Sequence, residues 1–262
     1  MNISFCLITL NEEEHLPRCL RSCADLAEEI VVLDSGSEDA TGKIAGDFGA
    51  RWHHQDWLGY VAQKNKVLSL ASHEWVFSID ADEELSPELR EEIRSLKETE
   101  PPAEISGFDL PRCVLYEGRW IRHGDWYPDR LPRLFRKARG HFAGGSVHEA
   151  LEVSGRVQPL RGELYHHSFR DAADHWARCQ RYARLWAEDK FKEGKTAGAL
   201  SPWFHAELRW LRGYVLRRGF LDGRAGLALS TFHAFQEFMV GLKLAELRRV
   251  GTSDQWSVVS GQ

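Results

Sequence analysis

The 262-residue sequence lacks several features, and each absence removes a class of protein. No run of about 18 apolar residues occurs, so nothing predicts a bilayer-spanning helix. The N-terminus, MNISFCLITLNEEEH, has no basic stretch before its apolar run and passes straight into acids, which predicts no signal peptide and a cytoplasmic location. The five cysteines (Cys6, Cys19, Cys23, Cys113, Cys179) form no CxxC pair, which excludes a zinc knuckle and a disulfide framework. They read as small buried thiols, with Cys19 and Cys23 on one helix face. GxxxxGKS/T and GxGxxG are both missing, so there is no P-loop and no dinucleotide fingerprint. Positive charge is not in excess: 34 Lys and Arg stand against 39 acids, a net −5 that excludes a general nucleic-acid partner. Internal repeats and low-complexity segments are also absent.

What is present is an ordinary globular composition, 43% hydrophobic and 28% charged, with length for one large domain or a core domain plus an appendage. One number stands out: ten tryptophans, at 52, 57, 75, 120, 126, 176, 186, 203, 210 and 256. Tryptophan fills cores, but it also stacks on ligands and anchors at membrane interfaces.

The first hundred residues alternate between short apolar runs and helical patterns. Ile3–Thr9, Glu29–Asp34, Arg51–His53 and Trp75–Asp80 read as strands. Between them lie helices capped by Asn11, running from Asp39 to Gly49, and spanning Tyr60–Ala71; Ser86-Pro87 opens another. This rhythm predicts βαβ units with a parallel sheet. Beyond Pro101-Pro102, Gly107–Tyr116 and Trp120–Ile121 flank Glu117-Gly118 as a hairpin, and Leu131–Arg136, His148–Val153 and Glu163–Ser168 are further strands. Asp171–Glu193, Pro202–Arg218 and Gly223–Val250 are helical. The expected organisation is a catalytic domain over 1–170, with a nucleotide half (1–100) and an acceptor half (101–170), then a helical region over 171–262.

Ligands of open parallel sheets collect at the carboxyl ends of the strands. Three such ends carry acids: Thr9-Leu10-Asn11-Glu12, Asp34-Ser35-Gly36-Ser37 and Asp80-Ala81-Asp82-Glu83-Glu84. Singly, each is an ordinary cap or turn; together, on one edge, they predict a site. The DxD at 80–82 is the sharpest feature. Residues i and i+2 at a strand end face the same way, and two carboxylates that close call for a cation. Hard oxygen donors suit Mg²⁺ or Mn²⁺ bridging to a nucleotide diphosphate. Lys64, in Gln63-Lys64-Asn65, suits the diphosphate charge, or is a plain surface lysine. In the polar, aromatic loop His123–Arg130, Trp126 can stack on a sugar face, and Arg130 or Arg133 can clamp a phosphate. The alternative is a loop pinned by its aromatics.

The runs ITLNEEEHL, EIVVLDSGSEDAT, GYVAQKN and WVFSIDADEEL resemble the family 2 glycosyltransferases of GT-A fold. GSVHEAL and YHHSF are similar to the bacterial subgroup that adds glucose to the lipopolysaccharide inner core. The resemblance implies an α/β, Rossmann-like mixed sheet and an inverting, metal-dependent hexosyltransferase. It implies a UDP-sugar donor, UDP-glucose first, and a lipopolysaccharide-core or related glycolipid acceptor. It places Asn11, Glu12, Asp34 and Asp80 around the nucleotide, with Asp34 at the uracil and Asp80 at the ribose; Thr9 and Lys64, at the same edge, complete the expected nucleotide set. It places Asp82 and His166 on the metal and Glu149 as the catalytic base. His148 is an alternative base of suitable intrinsic pKa. His166 and His167 face opposite sides of a strand, so only one reaches the metal, and His166 is favoured. Two rivals are a nucleotidyltransferase, which should carry a glycine-rich basic loop after strand one, and a membrane-docked nucleotide-sugar scaffold without catalysis.

Residues 201–250 carry eight basic residues against four acids, a net +4; with Asp254 beyond them, residues 1–200 hold −8. Aromatics intersperse with these arginines, which suits association with the inner-membrane surface. It equally suits helices packed on the rest of the chain with their arginines in water.

Overall fold

The structure is a computed structural model that describes residues 1–144, 149–169, 171–198 and 200–251. The chain forms two compact units: Met1–Val114 with Pro128–Ser168, and Leu115–Tyr127 with the chain from Phe169 onward. The second unit thus takes the hairpin segment as well as the tail.

The first unit opens with β1 (Ile3–Thr9), α1 (Leu16–Cys23), β2 (Glu29–Asp34), α2 (Thr41–Asp47), β3 (Arg51–His54), α3 (Tyr60–Leu70) and β4 (Trp75–Ser78). It continues with β5 (Glu83–Leu85), α4 (Pro87–Glu98) and β6 (Ile105–Tyr116), whose last two residues enter the second unit. After β7 (Arg119–Ile121), in the second unit, come β8 (Asp129–Arg136), β9 (Gly140–Gly144), β10 (Glu149–Val153), β11 (Arg156–Pro159) and β12 (Leu164–His166). The main sheet runs β3-β2-β1-β4-β8-β6-β12-β5, with β9 and β10 as a separate pair. β3, β2, β1 and β4 are mutually parallel. β8 then pairs antiparallel with both β4 and β6, making the sheet mixed.

β1 and β2 are buried on both faces, which explains their unbroken apolar runs. Their aliphatic side chains pack with α1, α4 and Trp75, Phe77 and Phe108 in one core. The five cysteines are buried and form no disulfide with one another. Ser86 caps α4 by accepting a hydrogen bond from Leu89 N at 3.1 Å, as its sequence announces.

Four local readings are corrected. Asn11 does not cap a helix: it is left-handed (φ 54), and α1 begins at Leu16. Asparagine tolerates that conformation, and here it turns the chain before the helix. The strand carrying Trp75 ends at Ser78, and the DxD lies in the following turn, closed by Glu83 N to Asp80 O at 3.0 Å. The short strands β5, β9 and β11 lack the apolar alternation that would announce them. The helix expected over Pro202–Arg218 is α-helical only as far as Trp210 and continues as a π-turn over Leu211–Leu216.

The second unit holds the β6–β7 hairpin, turned through Glu117 (φ 47) and Gly118 (φ 74), both left-handed as a tight two-residue turn demands. Its helices are α5 (Ala172–Lys192), α6 (Ser201–Trp210) and α7 (Gly223–Gly251). α6 widens into a π-turn over Leu211–Leu216, followed by a 3-10 turn over Gly219–Asp222. Asp171 caps α5 through Asp174 N at 2.8 Å. α6 and α7 approach closely at Gly241, where a Cβ would lie 2.7 Å from the Pro202 ring.

Candidate active site

The strand order 3-2-1-4 makes the carboxyl ends of β1 and β4 a topological switch point, where α/β sheets open a crevice. Parallel register sets Thr9 beside Asp34 and Cys6 beside Ser78. The loops after β1, β2 and β4 therefore emerge together.

Asp34 is 2% exposed and fully engaged. One oxygen accepts from Thr9 Oγ1 at 2.9 Å and Ser37 Oγ at 2.5 Å; the other accepts from the backbone N–H groups of Gly36 and Ser37. Burial alone would raise its pKa, but these hydrogen bonds, Ser37 foremost, hold it below the usual carboxylate range. Asn11 laces the neighbouring loop: its N–H donates to Ser37 Oγ at 2.8 Å, and its Oδ1 accepts from Glu38 N at 2.9 Å. Glu12 N donates to Thr41 Oγ1 at 2.8 Å.

Three successive residues of α3 organise three other parts of the site. Gln63 Nε2 donates to Ser35 Oγ and Gln55 O. Asn65 grips β9 through Phe142, accepting from its N and donating to its O, both at 2.8 Å. Between them Lys64 is buried, its Nζ 3.0 Å from Asp80 Oδ1 and 3.4 Å from Glu149 Oε1. It is not a surface lysine.

Asp80 is also held from the other side. Arg133 Nη2 lies 3.2 Å from Asp80 Oδ2 and 2.6 Å from Glu83 Oε1, while Glu83 Oε2 accepts from Asp80 N at 3.0 Å. Burial opposes ionisation of Asp80, but the Lys64 and Arg133 charges outweigh it and carry its pKa well below the usual value. Arg133 therefore does not belong to an acceptor loop. It is a buried strand residue of β8, and its guanidinium is committed to Asp80 and Glu83. Arg130, three residues earlier on that strand, is tied to Asp109 and to the carbonyls of Asp109 and Leu160. It is not brought to the DxD.

Asp82 Oδ2 sits 3.1 Å from His166 Nε2, and His167 Nε2 sits 3.2 Å from Glu84 Oε2. The two histidines thus point to different carboxylates. For Asp82 too, burial is outweighed, here by the His166 hydrogen bond and charge, and its pKa is lowered. A separation near 3 Å is what two adjacent ligands show on an octahedral ion with bonds of about 2.1 Å. His166 Nδ1 is buried with no partner, so its Nε2 edge is the one that meets Asp82. Among the described residues no cluster of three or more metal-ligating side chains occurs. An oxygen and a nitrogen donor with remaining positions open fit Mg²⁺ or Mn²⁺ completed by substrate phosphates and water.

Glu149 opens β10 beside Lys64. His148 lies outside the described residues. Trp126 belongs to the second unit, stacked on Phe169 (centroids 5.1 Å, 12°) and flanked by Tyr116, His175 and His233. Sequence reasoning missed Gln63, Asn65, Ser37 and Glu83 as site-builders. The run QKN on one helical turn was the available clue for the first two.

Residues 4–154 match Glycosyl transferase family 2. The chain belongs to that family. It is a glycosyltransferase of GT-A fold, with a helical C-terminal region. An uncharacterized glycosyltransferase of Rickettsia typhi is 30% identical, the alignment covering 97% of this chain and 91% of the relative. The lipopolysaccharide core biosynthesis glycosyltransferase LpsC of Rhizobium meliloti is 29% identical over 92% of this chain and 91% of its own length. Among solved structures, residues 1–349 of S. aureus TarS in complex with UDP align with all of this chain and 95% of that one, at 15% identity and a TM-score of 0.45. Membership of this family sets aside nucleotidyl transfer.

Proposed function

We propose that this glycosyltransferase is inverting and metal-dependent, moving a hexose from a UDP-sugar, UDP-glucose first, to a lipopolysaccharide-core saccharide or a related glycolipid. The acceptor class is supported by full-length similarity to LpsC. The observation that carries the chemistry is a line of side chains at the switch point. Asp82 and His166 stand ready for a divalent ion, and Asp80 and Glu149 share Lys64.

In this reading the loops laced by Asp34, Asn11 and Ser37 seat the uridine, Thr9 and Glu12 brace those loops, and Asp80 holds the ribose. Asp82 and His166 would hold Mg²⁺ or Mn²⁺, which when bound would supply positive charge to the departing diphosphate. Glu149 accepts the proton of the acceptor hydroxyl as that oxygen bonds to the anomeric carbon and the carbon–diphosphate bond breaks. Lys64 fixes the positions of Asp80 and Glu149, so one buried cation ties the donor side of the site to its base. Direct displacement by a base-activated hydroxyl inverts the anomeric centre.

The test is a donor screen with UDP-sugars and Mg²⁺ or Mn²⁺, reading UDP release, followed by Glu149→Gln. Removing a general base costs about 10²–10⁴ in turnover, with calorimetric UDP affinity unchanged. Near-normal turnover in that variant sinks the assignment of Glu149. Release of no nucleotide from any UDP-sugar sinks the donor class.

A further inference from the structure

The second unit carries an arrangement that sugar transfer does not use. Asp125 is buried, its side chain 2% exposed, and three arginines surround it: Arg209 Nε at 3.0 Å, Arg212 Nε at 3.4 Å and Arg217 Nη1 at 3.2 Å. One negative charge is enclosed by three positive ones, and the Arg212 and Arg217 side chains remain nearly half exposed. The buried carboxylate draws the three guanidinium groups together by ion pairing.

The same segment exposes apolar surface. Phe204, Leu208, Leu211 and Val215 are all exposed and recur at spacings of four, three and four, which is a single stripe along α6 and its π-turn. Trp203, Leu216 and Phe220 are exposed too, Leu216 by 71%. The opposite side is the packed one, where Pro202 meets Gly241 and Gly213 is buried. Thus the water-facing stripe of this helix is apolar, the reverse of an ordinary surface helix. Residues 200–224 hold five arginines against Glu207 and Asp222, a net +3.

We propose that this face docks on an anionic bilayer surface. The stripe from Phe204 to Val215 enters the headgroup boundary, and the half-exposed Arg212 and Arg217 meet lipid phosphates. Charge selects this occupant: a symmetric contact with a second copy would set one arginine cluster against the other. Anionic headgroups complement both the arginines and the apolar stripe. Among the described residues no helix is long and apolar enough to cross a membrane, so the contact is interfacial.

The experiment is co-sedimentation of the full chain with vesicles of phosphatidylglycerol and phosphatidylcholine, against phosphatidylcholine alone. Binding is expected to the anionic vesicles and to fade with added salt. Arg212→Gln with Arg218→Gln should weaken it about 25-fold, at about fivefold per arginine. These changes leave Asp125 two of its partners. Leu208→Gln with Leu211→Gln should weaken it at least about tenfold. Both residues are exposed, and circular dichroism with thermal melting confirms the variants stay folded. Failure to bind anionic vesicles, or binding that folded variants do not change, overturns the proposal. So does a dimer in solution that the leucine pair dissolves, which would assign the stripe to a second copy. None of these outcomes bears on UDP release, so the docking and donor readings stand or fall separately.

Discussion

The two units solve opposite electrostatic problems with the same residue types. At the DxD of the first, the cations are buried and two carboxylates are presented: Lys64 and Arg133 are 6% and 5% exposed, whereas the side chains of Asp80 and Asp82 are 28% and 30% exposed; Glu83 is buried with the cations. In the second, the carboxylate is buried and the cations are presented, with Asp125 enclosed by Arg209, Arg212 and Arg217. In the proposed reading, the buried Lys64, Arg133 and Asp125 act as scaffold, and the exposed groups they hold are the ones offered to a ligand of opposite charge. A net charge of −5 conceals this division. It is the arrangement expected of a protein that meets a metal–nucleotide at one place and an anionic surface at another.

The largest effects should follow from changing a presented carboxylate. Asp82→Asn should reduce turnover by about 10³ or more, because a metal's stabilisation of a leaving phosphate is worth several kcal/mol. UDP affinity measured with and without Mn²⁺ should then become the same. Retained metal dependence would show that Asp82 is scaffold and the comparison is misdrawn. Next in size is removal of a buried cation. Arg133→Met strands Asp80 and Glu83 without their shared partner and should cost about 3–5 kcal/mol of stability, read as a lowered urea midpoint with unchanged slope. Asp125→Asn should cost less, about 1.5–3 kcal/mol. It leaves three arginines that water already reaches. Equal losses in the two variants would break the distinction between scaffold and presented charge.

Much of the first unit was legible because strand ends declare themselves locally. An apolar run ending in Asp34 or in Asp80-Ala81-Asp82 needs no knowledge of its partners to be placed on the ligand-binding edge. What sequence concealed was side-chain pairing across long stretches of chain. Arg133 follows a polar loop and reads as part of it; only antiparallel pairing of β8 with β4 carries it to Asp80, 53 residues away. Glu83 looks like one more acid in an acidic turn, yet it is fully buried because Arg133 and Asp80 N satisfy it. Asn11 has the composition of a helix cap and the backbone of a left-handed turn, and both are ordinary for asparagine. Of the ten tryptophans, Trp75 is core and Trp126 stacks within the second unit, whereas Trp203 is exposed against Phe238. Position, more than count, gives each its meaning.

The smallest prediction separates the units by acid. In the second unit burial holds His175 down to about 4, and burial with the Arg209 charge holds His233 down to about 3. Both are at about 6.5 in an unfolded chain. Between those values the unfolded state binds more protons, so stability falls as pH drops below about 6.5. In the first unit Asp34, Asp80 and Asp82 have lowered values. Their contribution is fully present above about pH 4 and drains away only below it. His167 of the first unit is also lowered, by burial first, so acid should weaken both units but loosen the packing of Trp126 on Phe169 and His175 first, where two histidines act together. Tryptophan fluorescence and near-UV circular dichroism followed from pH 7 to pH 3 should show an early step that far-UV dichroism shares only in part. His233→Phe should shrink the early step and leave the later one in place. A single coincident transition in the wild-type chain would mean that the units lose structure together, and that the buried histidines do not set the order.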